Sequence, residues 1–544
     1  MKAPTPRLIS AMAATLVLTG CPSGPAPITT VQPACTQCSA ISATLYPGAG
    51  TGIWSYSNDT DAPVTIPVSL HALKGQAVSL VFFNDSSQAQ PMPPIRLETD
   101  VTVPPVAASR HLASARGGGL SQADRVRAFN HDGWVRQLER MREAAALVPP
   151  VAENRTAPAE VSVATATIGD TRGWYNDEEE TPRQTTLVRQ GTLRDSVVLN
   201  IWIEDGESGS ERVTDAALDT MLNTYRMNGG TYEFLYDLGG PMWGPTKERE
   251  LLPGADQPIN VVLLNLGDRV AGYFFAANAF VRQPGTESER SNAAVAVFIN
   301  TTPMYAANPG GLATQLLTLA HESVHMQNFY RRGVTLGAEH VFDDWLEEGS
   351  AVMVEDLVSQ RLLQNYNEVR DSRLPQYLST PSYGCSLLQW PKSEDTCDGY
   401  AVWGAWGGYL NRQLGVAFYR NLLNDKANQS SEAVLDAAIR SVRPDSGMAP
   451  EMRRWSATVG AMIPAAGLPS GYGYPGRTDA GYPLPEIDLQ TLVDNRKLPA
   501  STAALLAGHS VFPVVRRGLQ GTFSETVTVP ARTTLSVVVH DGKV

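Results

Sequence analysis

The stretch from Leu312 to Gly333, "LATQLLTLAHESVHMQNFYRRG", contains no proline, and its only glycine is the last residue. Apolar residues recur along it at helical spacing, which predicts an amphipathic helix. On such a helix His321 and His325 project from the same side, one turn apart. Two imidazoles placed in this way can both reach one metal ion, so the stretch predicts a metal-binding helix.

Glu322 follows the first histidine and completes an H-E-x-x-H pattern. It is offset by about 100° around the helix axis, so it can reach a water on the metal without being a ligand. Zinc lowers the pKa of such a water to roughly 7, and the carboxylate can then take its proton. The pattern therefore indicates one hydrolytic zinc ion. The alternative interpretation is a pair of core histidines beside an exposed glutamate.

A catalytic zinc site usually has a third protein ligand and one open position. The metzincin extension of the motif fails here, because Asn328 replaces its glycine and Arg331 its last histidine. Downstream, "DDWLEEGSAVMVEDL" from Asp343 to Leu357 predicts a second helix, with acidic residues where a helix begins.

Within this second helix "WLEEGSA" resembles the W-x-x-E-G-x-A helix of the gluzincin metallopeptidases. That resemblance implies Glu348 as the third ligand, with Glu347 as its main competitor. His340 and Asp344 are weaker alternatives. Gly349 either lets the helix approach the first one closely or is merely a tolerated glycine. Glu355, two turns after Glu348, either accepts a hydrogen bond from a ligand histidine or is a solvated side chain.

Several further segments occur in an order that resembles the hyicolysin family of bacterial secreted metallopeptidases, over roughly residues 165–425. They are "GDTRGWYND", "LNIWIED", "AGYFFAAN", "SNAAVAVFINT", the two helices above and "YAVWGAWGGYLNRQLG". The resemblance implies a zinc endopeptidase that cuts proteins, with "NAAVAVFINT" as the sheet-edge strand that pairs with an extended substrate. The long β-rich N-terminal region and a lipobox are departures from the family.

Hydrolysis also needs a group that stabilises the oxyanion, and a tyrosine or histidine often supplies it beside zinc. Tyr400, at the start of the "YAVWGAWGGYL" helix, is the first candidate. Tyr383 and His340 follow it. The alternative for each tyrosine is an ordinary core or surface role.

The first residues predict export. Lys2 and Arg7 precede an apolar run that is too short to span a membrane, and "LTGC" ends at Cys21. This ending resembles a bacterial lipobox, which implies cleavage before Cys21 and lipidation of its thiol. A plain signal peptide with a chance cysteine is the alternative. The expected location is the bacterial cell envelope, with the protein lipid-anchored to the outer membrane or the cell surface.

Four cysteines remain after Cys21, namely Cys35, Cys38, Cys385 and Cys397. Since an exported protein meets an oxidising compartment, we expect two disulfides, Cys385–Cys397 and Cys35–Cys38. A zinc site made of the four cysteines is not expected, because the two pairs lie far apart in the sequence.

The net charge of −12, without a long basic run, argues against nucleic acid as a partner. The expected partners are a protein or peptide substrate and, through the lipid on Cys21, a membrane. The predicted order is signal peptide (1–20), tether (21–39), N-terminal β domain (40–105), linker with one helix (106–160), β-rich segment (161–210), catalytic domain (211–460) and a Gly- and Pro-rich segment with β structure (461–544).

These features together predict an α+β fold. Small sandwich- or barrel-like β domains precede a gluzincin-type metallopeptidase domain with two zinc-binding helices. The predicted function is that of a zinc metalloendopeptidase in which Glu322 activates the attacking water. The alternative is a cell-surface binding or adhesin lipoprotein that keeps a catalytically inert metallopeptidase fold.

Overall fold

The structure, a computed structural model, describes residues 30–98, 121–147, 166–176 and 181–544, apart from residues 255, 269, 285, 309, 381 and 393–395. The predicted signal peptide and Cys21 lie outside the described residues, as do parts of the predicted linker. Within the described ranges, no helix is long and apolar enough to cross a membrane.

A β module is built from both ends of the chain. Its strands are β1 (Gln32–Pro33), β2 (Gly52–Asn58), β3 (Val64–Lys74), β4 (Ala77–Asn84) and β5 (Gln90–Pro91), and, near the C-terminus, β14 (Leu505–Leu506), β15 (Val511–Arg516), β16 (Gln520–Val529) and β17 (Thr533–His540). One sheet has the order β1-β2-β17-β4-β15, while β3 pairs with β16 and β5 with β14.

The sequence predicts residues 40–105 and 461–544 as separate segments, but in the structure their strands share one sheet and one core. Strand β17 pairs antiparallel with β2 on one side and with β4 on the other. Every residue of β17 is buried. A strand buried on both faces needs a neighbour on each side and a layer above and below, which a lone C-terminal hairpin lacks.

A second, six-stranded sheet forms the centre of the molecule, in the order β10-β11-β9-β8-β7-β6. Its strands are β6 (Thr171–Trp174), β7 (Arg183–Thr192), β8 (Val198–Glu204), β9 (Ile259–Leu264), β10 (Gly272–Phe274) and β11 (Val295–Asn300). The predicted β-rich segment 161–210 thus supplies half of this sheet. Strand β9 runs parallel to β8 and β11, and β10 runs antiparallel to β11.

The family resemblance implies that "NAAVAVFINT" lies at the sheet edge, and this prediction is wrong. The segment contains β11, which lies between β9 and β10 and is buried along its whole length. Its continuous apolar run fits an interior strand, because both faces and both edges are covered. The shorter strand β10 is the edge.

Helices pack around this sheet and make the core of the molecule a mixture of helix and sheet. They are α1 (Gln122–Ala128), α2 (Trp134–Leu147), α3 (Asp215–Arg226), α4 (Thr231–Gly239), α5 (Gly311–Asn328), α6 (Asp344–Leu362), α7 (Leu374–Ser379), α8 (Gly399–Leu414), α9 (Val416–Asn424), α10 (Ser431–Val442) and α11 (Met448–Ala461). The short strands β12 (Arg477–Asp479) and β13 (Tyr482–Leu484) form a hairpin after α11. Helix α6 packs between α5 and α8.

Gly349 in α6 has a packing role that differs from the one considered in the sequence analysis. A Cβ added there would lie 2.3 Å from the Trp403 ring of α8. The glycine therefore permits a close approach of α6 to α8 rather than to α5.

Residues 121–147, here called the α1–α2 segment, are helical as predicted, with a π-helical turn from Phe129 to Gly133 between the two helices. They are not a detached linker. Trp134, Leu138 and Met141 are buried in the main hydrophobic core, and the Trp134 ring meets Phe329 edge to face. The segment is held against the core by apolar burial.

Both expected disulfides are present, Cys35–Cys38 and Cys385–Cys397. The second lies in the loop that leads into α8.

Candidate metal centre

Helix α5 presents the two histidines of the motif. It begins after Gly310, whose φ of +92° turns the chain into the helix, and it has no proline or internal glycine before Asn328. The rings of His321 and His325 lie 4.8 Å apart, one turn from each other. Both face α6, so the local helical spacing alone sets half of the site.

Helix α6 brings Glu348 to the same point. Its Oε2 lies 3.2 Å from His321 Nε2 and 3.6 Å from His325 Nε2. One ligand atom from each of the three residues lies within 4.8 Å of the others. The geometry therefore brings together the set His321, His325 and Glu348 that the sequence predicted.

The competing ligand candidates do not converge with the ligand atoms of these three residues. Glu347 is on a neighbouring face of α6, and its Oε1 lies 2.8 Å from His325 Nδ1, on the far side of that ring. His340 Nδ1 lies 3.2 Å from the Asn428 carbonyl oxygen. Asp344 lines the same cavity as the histidines but does not belong to the group of three.

Each histidine is held by a carboxylate on its second nitrogen. Glu355 Oε1 lies 2.6 Å from His321 Nδ1, so of the two alternatives for this residue the structure shows the hydrogen-bonding partner and not the solvated side chain. Arg373 in turn donates to Glu355 Oε2 at 3.0 Å. Glu347 does for His325 what Glu355 does for His321. When Nδ1 donates to a carboxylate, the ring is fixed and Nε2 is left as the ligand atom.

Glu322 is buried beside the two histidines, and its Oε2 accepts a hydrogen bond of 2.8 Å from the Phe274 backbone N–H. Phe274 ends the edge strand β10, so the sheet orients the carboxylate. Burial raises the pKa of Glu322 above its ordinary value, although the nearby histidines act in the opposite direction. A carboxylate with a raised pKa is a stronger base than an ordinary one, which suits a group that accepts and returns a proton.

Tyr400 is the one oxyanion candidate that the structure brings to the cavity. Its ring lies 5.9 Å from that of His321. Burial, then the charge of Glu348, raises its pKa well above the ordinary value, so its O–H stays protonated. Tyr383 lies away from the cavity, where it accepts a hydrogen bond from Arg496 at 2.9 Å.

The electrostatics of the site favour a positive charge between the three residues. Burial opposes protonation of His321, but its hydrogen bonds to Glu348 and Glu355 outweigh burial and raise its pKa to about 9. The pKa of His325 is raised as well, for the same kind of reason. Burial would raise the pKa of Glu348, but the two histidines hold it well below its ordinary value.

The residues present fit a zinc ion. Two imidazole Nε2 atoms and one carboxylate oxygen converge, and both rings are locked through Nδ1. Two histidines and a glutamate are the donor set of hydrolytic zinc sites. A divalent cation would also supply the positive charge that the surrounding carboxylates favour.

Comparison with known proteins agrees with this geometry. The family model of Peptidase M30 matches residues 179–540, well over half of the 544 residues. The chain belongs to the peptidase M30 family. Residues 33–97 separately match a domain of unknown function, DUF8571.

A relative of this M30 protein is the neutral metalloprotease ShpI of Staphylococcus hyicus, 27% identical over 202 residues. The match covers 35% of this chain and 43% of ShpI, so the chain spans less than half of that relative's length. These two matches confirm the resemblance to the hyicolysin family.

Among solved structures, an M1 zinc metallopeptidase from Deinococcus radiodurans is 16% identical, with a TM-score of 0.30, over 56% of this chain and 54% of that one. A mutant of the same enzyme gives the same identity and TM-score, over 53% of this chain and 54% of that one. A TM-score this low supports no statement about the fold of the M30 protein.

Two residues at the M30 site were missed by sequence reasoning, Arg127 and Asn130. Arg127 Nη1 lies 3.4 Å from Glu348 Oε1, the oxygen that does not face the histidines. The Asn130 side chain donates to the Phe274 carbonyl oxygen and accepts from the Ala276 N–H, both at 2.8 Å. Neither residue belongs to a motif, and both lie about 200 positions from Glu348, so only the tertiary fold reveals them.

Proposed function

We propose that this M30 protein is a zinc-dependent metalloendopeptidase of the gluzincin type, with α5 and α6 as its two zinc helices. The observation that carries the proposal is the convergence of His321 Nε2, His325 Nε2 and Glu348 Oε2, with the Glu322 carboxylate on the next position of the same helix. His321 and Glu348 are buried and His325 is nearly so. Ionisable side chains that are taken out of solvent and aimed at one point are typical of functional sites.

A bound zinc ion would supply Lewis-acid activation of water and of the scissile carbonyl group. Glu322, oriented by the Phe274 N–H, takes the proton of the attacking water and returns it to the leaving amine. Tyr400, protonated and at the cavity wall, donates a hydrogen bond to the oxyanion as it forms.

The edge strand β10 provides the means to hold a substrate. At its end the Phe274 carbonyl, and just beyond it the N–H of Ala276, where a 3-10 helix begins, are placed as hydrogen-bonding partners for the backbone of an extended peptide. This mode of binding is known as β-augmentation. Backbone pairing reads no side chain, which suits an enzyme that cuts within protein chains.

The test is proteolysis of reduced, carboxymethylated lysozyme by the zinc-loaded protein and by its Glu322→Gln variant. We expect the variant to lose at least about 100-fold in rate, since it removes the general base. Its zinc content, measured by mass spectrometry, should be unchanged because Glu322 is not a ligand. Glu339→Gln is the matched control, because Glu339 is exposed and lies downstream of the H-E-x-x-H motif. This variant should cut at the parental rate.

If the parent binds zinc and cuts nothing under any condition, the inert binding or adhesin protein becomes the better description. An aminopeptidase is disfavoured, because the sequence shows no G-x-M-E-N-like segment that would hold a free amine.

We further propose that Cys21 is lipidated and anchors the protein to the bacterial cell envelope, on the strength of "LTGC" after the short apolar run. A Cys21→Ser variant should then move from the membrane fraction to the soluble fraction of cells that express it. If the variant and the parent are distributed equally between the two fractions, Cys21 is not lipidated and the first residues are a plain signal peptide.

A further inference from the structure

The α1–α2 segment lies across the site just described. Six of its residues line the cavity that holds His321, Glu322, His325 and Glu348; they are Gln122, Ala123, Val126, Arg127, Asn130 and His131. With the segment in place the cavity measures about 80 Å³. That volume admits a few water molecules but falls far below the roughly 300–1,000 Å³ of ordinary ligand pockets.

Asn130 occupies the positions where a substrate backbone would bind. Its amide nitrogen donates to the Phe274 carbonyl and its amide oxygen accepts from the Ala276 N–H, both at 2.8 Å. Phe275, between these two groups, is still extended, and a 3-10 helix begins at Ala276. In extended backbone, the C=O of one residue and the N–H two residues on point to the same side. One side-chain amide therefore imitates the pair of bonds that a peptide substrate would form with this edge.

Arg127, from the same segment, contacts the candidate metal ligand Glu348. Its guanidinium lies 3.4 Å from Glu348 Oε1 and also forms an ion pair with Asp124, which fixes its position. Glu348 is almost fully buried, so this pair is shielded from solvent. Oε2 of Glu348 faces the histidines, so Arg127 can hold the other oxygen without removing the carboxylate from the ligand set.

The remainder of the segment acts as an anchor. Trp134 packs on Phe329, immediately after α5, and Arg142 forms ion pairs with Glu248 and Glu250. The segment also lies outside both family matches, which cover residues 33–97 and 179–540. Neither matched region therefore includes the residues that fill the cleft.

We propose that the α1–α2 segment is a built-in inhibitor that occupies the substrate cleft through Arg127 and Asn130, so that the peptidase works only when the segment is displaced. This inference rests on the proposed peptidase function. The apparent affinity of the cleft for a peptide is then reduced by the small fraction of molecules in which the segment is away.

The experiment compares the full chain with its Arg127→Ala/Asn130→Ala variant. We expect the variant to cut reduced, carboxymethylated lysozyme at least about tenfold faster, because its cleft is open more often. Arg136→Ala is the matched control. Arg136 is exposed and pairs only locally with Asp132, so the control should retain the parental rate. Equal and measurable cleavage rates for the parent and the double variant would overturn the inference while leaving the peptidase function intact.

A second measurement does not depend on catalysis. In a Glu322→Gln background, the affinity for fluorescein-labelled, carboxymethylated insulin B chain is followed by fluorescence anisotropy. We expect the Arg127→Ala/Asn130→Ala changes to tighten binding at least about tenfold. Tighter binding without cleavage by any variant would support the inference and count against the proposed function alone, whereas unchanged binding would overturn the inference.

The Asn130→Asp variant distinguishes an opened cleft from a folding defect. It keeps the size of the side chain and its bond from the Ala276 N–H, but it faces the Phe274 carbonyl with an oxygen instead of a donor. It should raise the cleavage rate in the same direction as the double variant, with parental thermal stability. A stable Asn130→Asp protein with the parental rate would contradict the role given to Asn130.

Discussion

At the scale of the residue, the two histidines differ in how they are held. His321 is fixed by Glu355, which is itself bound by Arg373, while His325 is fixed by Glu347. Glu355 is almost fully buried, and Glu347 is more exposed. The orientation of His321 therefore depends on a buried chain of charges, and that of His325 on a partner nearer to solvent.

Glu355→Gln should lower zinc affinity by about 10–100-fold, the usual cost of removing the carboxylate that orients a ligand histidine. The measurement is competition for zinc with a fluorescent chelator. Glu368→Gln is the graded control, because Glu368 contacts Arg373 at 3.0 Å and does not contact the histidine. Glu368→Gln should lower zinc affinity much less than Glu355→Gln. An equal loss of zinc affinity in both variants would mean that general destabilisation, and not histidine orientation, is the cause.

The sequence was sufficient to predict that His321, Glu322 and His325 lie on one helix with both histidines on the same side, because helical spacing alone determines this. For Glu348 it needed the resemblance of "WLEEGSA" to a known helix, because nothing in the spacing says which of two adjacent glutamates points inward. Tyr400 could be separated from Tyr383 only by the fold. Arg127 and Asn130 reach the site from a segment whose own sequence predicts only a helix.

At the scale of the element, the packing of α6 against α8 depends on Gly349 and Trp403. Alanine is ordinarily better than glycine inside a helix by about 1 kcal/mol. Here, however, the added methyl group would meet the buried Trp403 ring at 2.3 Å. Overpacking of this kind typically costs about 1–3 kcal/mol, which equals or exceeds the helix preference.

Gly349→Ala should therefore lower the free energy of unfolding, by up to about 2 kcal/mol once the helix preference is subtracted. Urea denaturation followed by circular dichroism measures it. Gly384→Ala is the matched control, since a Cβ there meets nothing within 4 Å. Stabilisation by Gly349→Ala would show that the α6–α8 contact relaxes without cost.

Element types were predictable where a pattern was long and regular, as in α5, α6 and the apolar runs of β9 and β11. The elements that lie next to them were not predictable. The apolar run of β11 indicates burial, but it does not say that the three-residue strand β10 covers its outer edge. A strand so short carries too little periodicity to be recognised in the sequence.

At the scale of the whole molecule, the β module is closed by the end of the chain. Strand β17 lies between β2 and β4, and Ser57 and Thr534 hydrogen-bond across a sequence separation of 477 residues. Alternating apolar residues predicted strands at both ends, but a period of two says nothing about which strand is the partner. The shared core therefore could not be read from the sequence.

Removal of residues 519–544 should unfold the module, because it takes away β16 and the strand that β2 and β4 both pair with. We expect rapid chymotrypsin cleavage within residues 52–84, after Trp54, Phe82 or Phe83, which are buried in the intact module. Mass spectrometry of the fragments detects it. A truncation of Lys543 and Val544 alone keeps β17 and should leave that region resistant. Protection of residues 52–84 in the longer truncation would show that the N-terminal strands fold by themselves.

The position of β17 also determines when, during synthesis of the chain, the β module can be completed. Strands β2 and β4 leave the ribosome early, yet the strand between them is made some 477 residues later, a delay of roughly 25–95 s at about 5–20 residues per second. During that interval two apolar strands present unpaired edges, the situation in which nascent chains aggregate or recruit chaperones. A ribosome that stalls before β17 would release a chain whose first module is permanently open, and proteases would recognise it as unfinished.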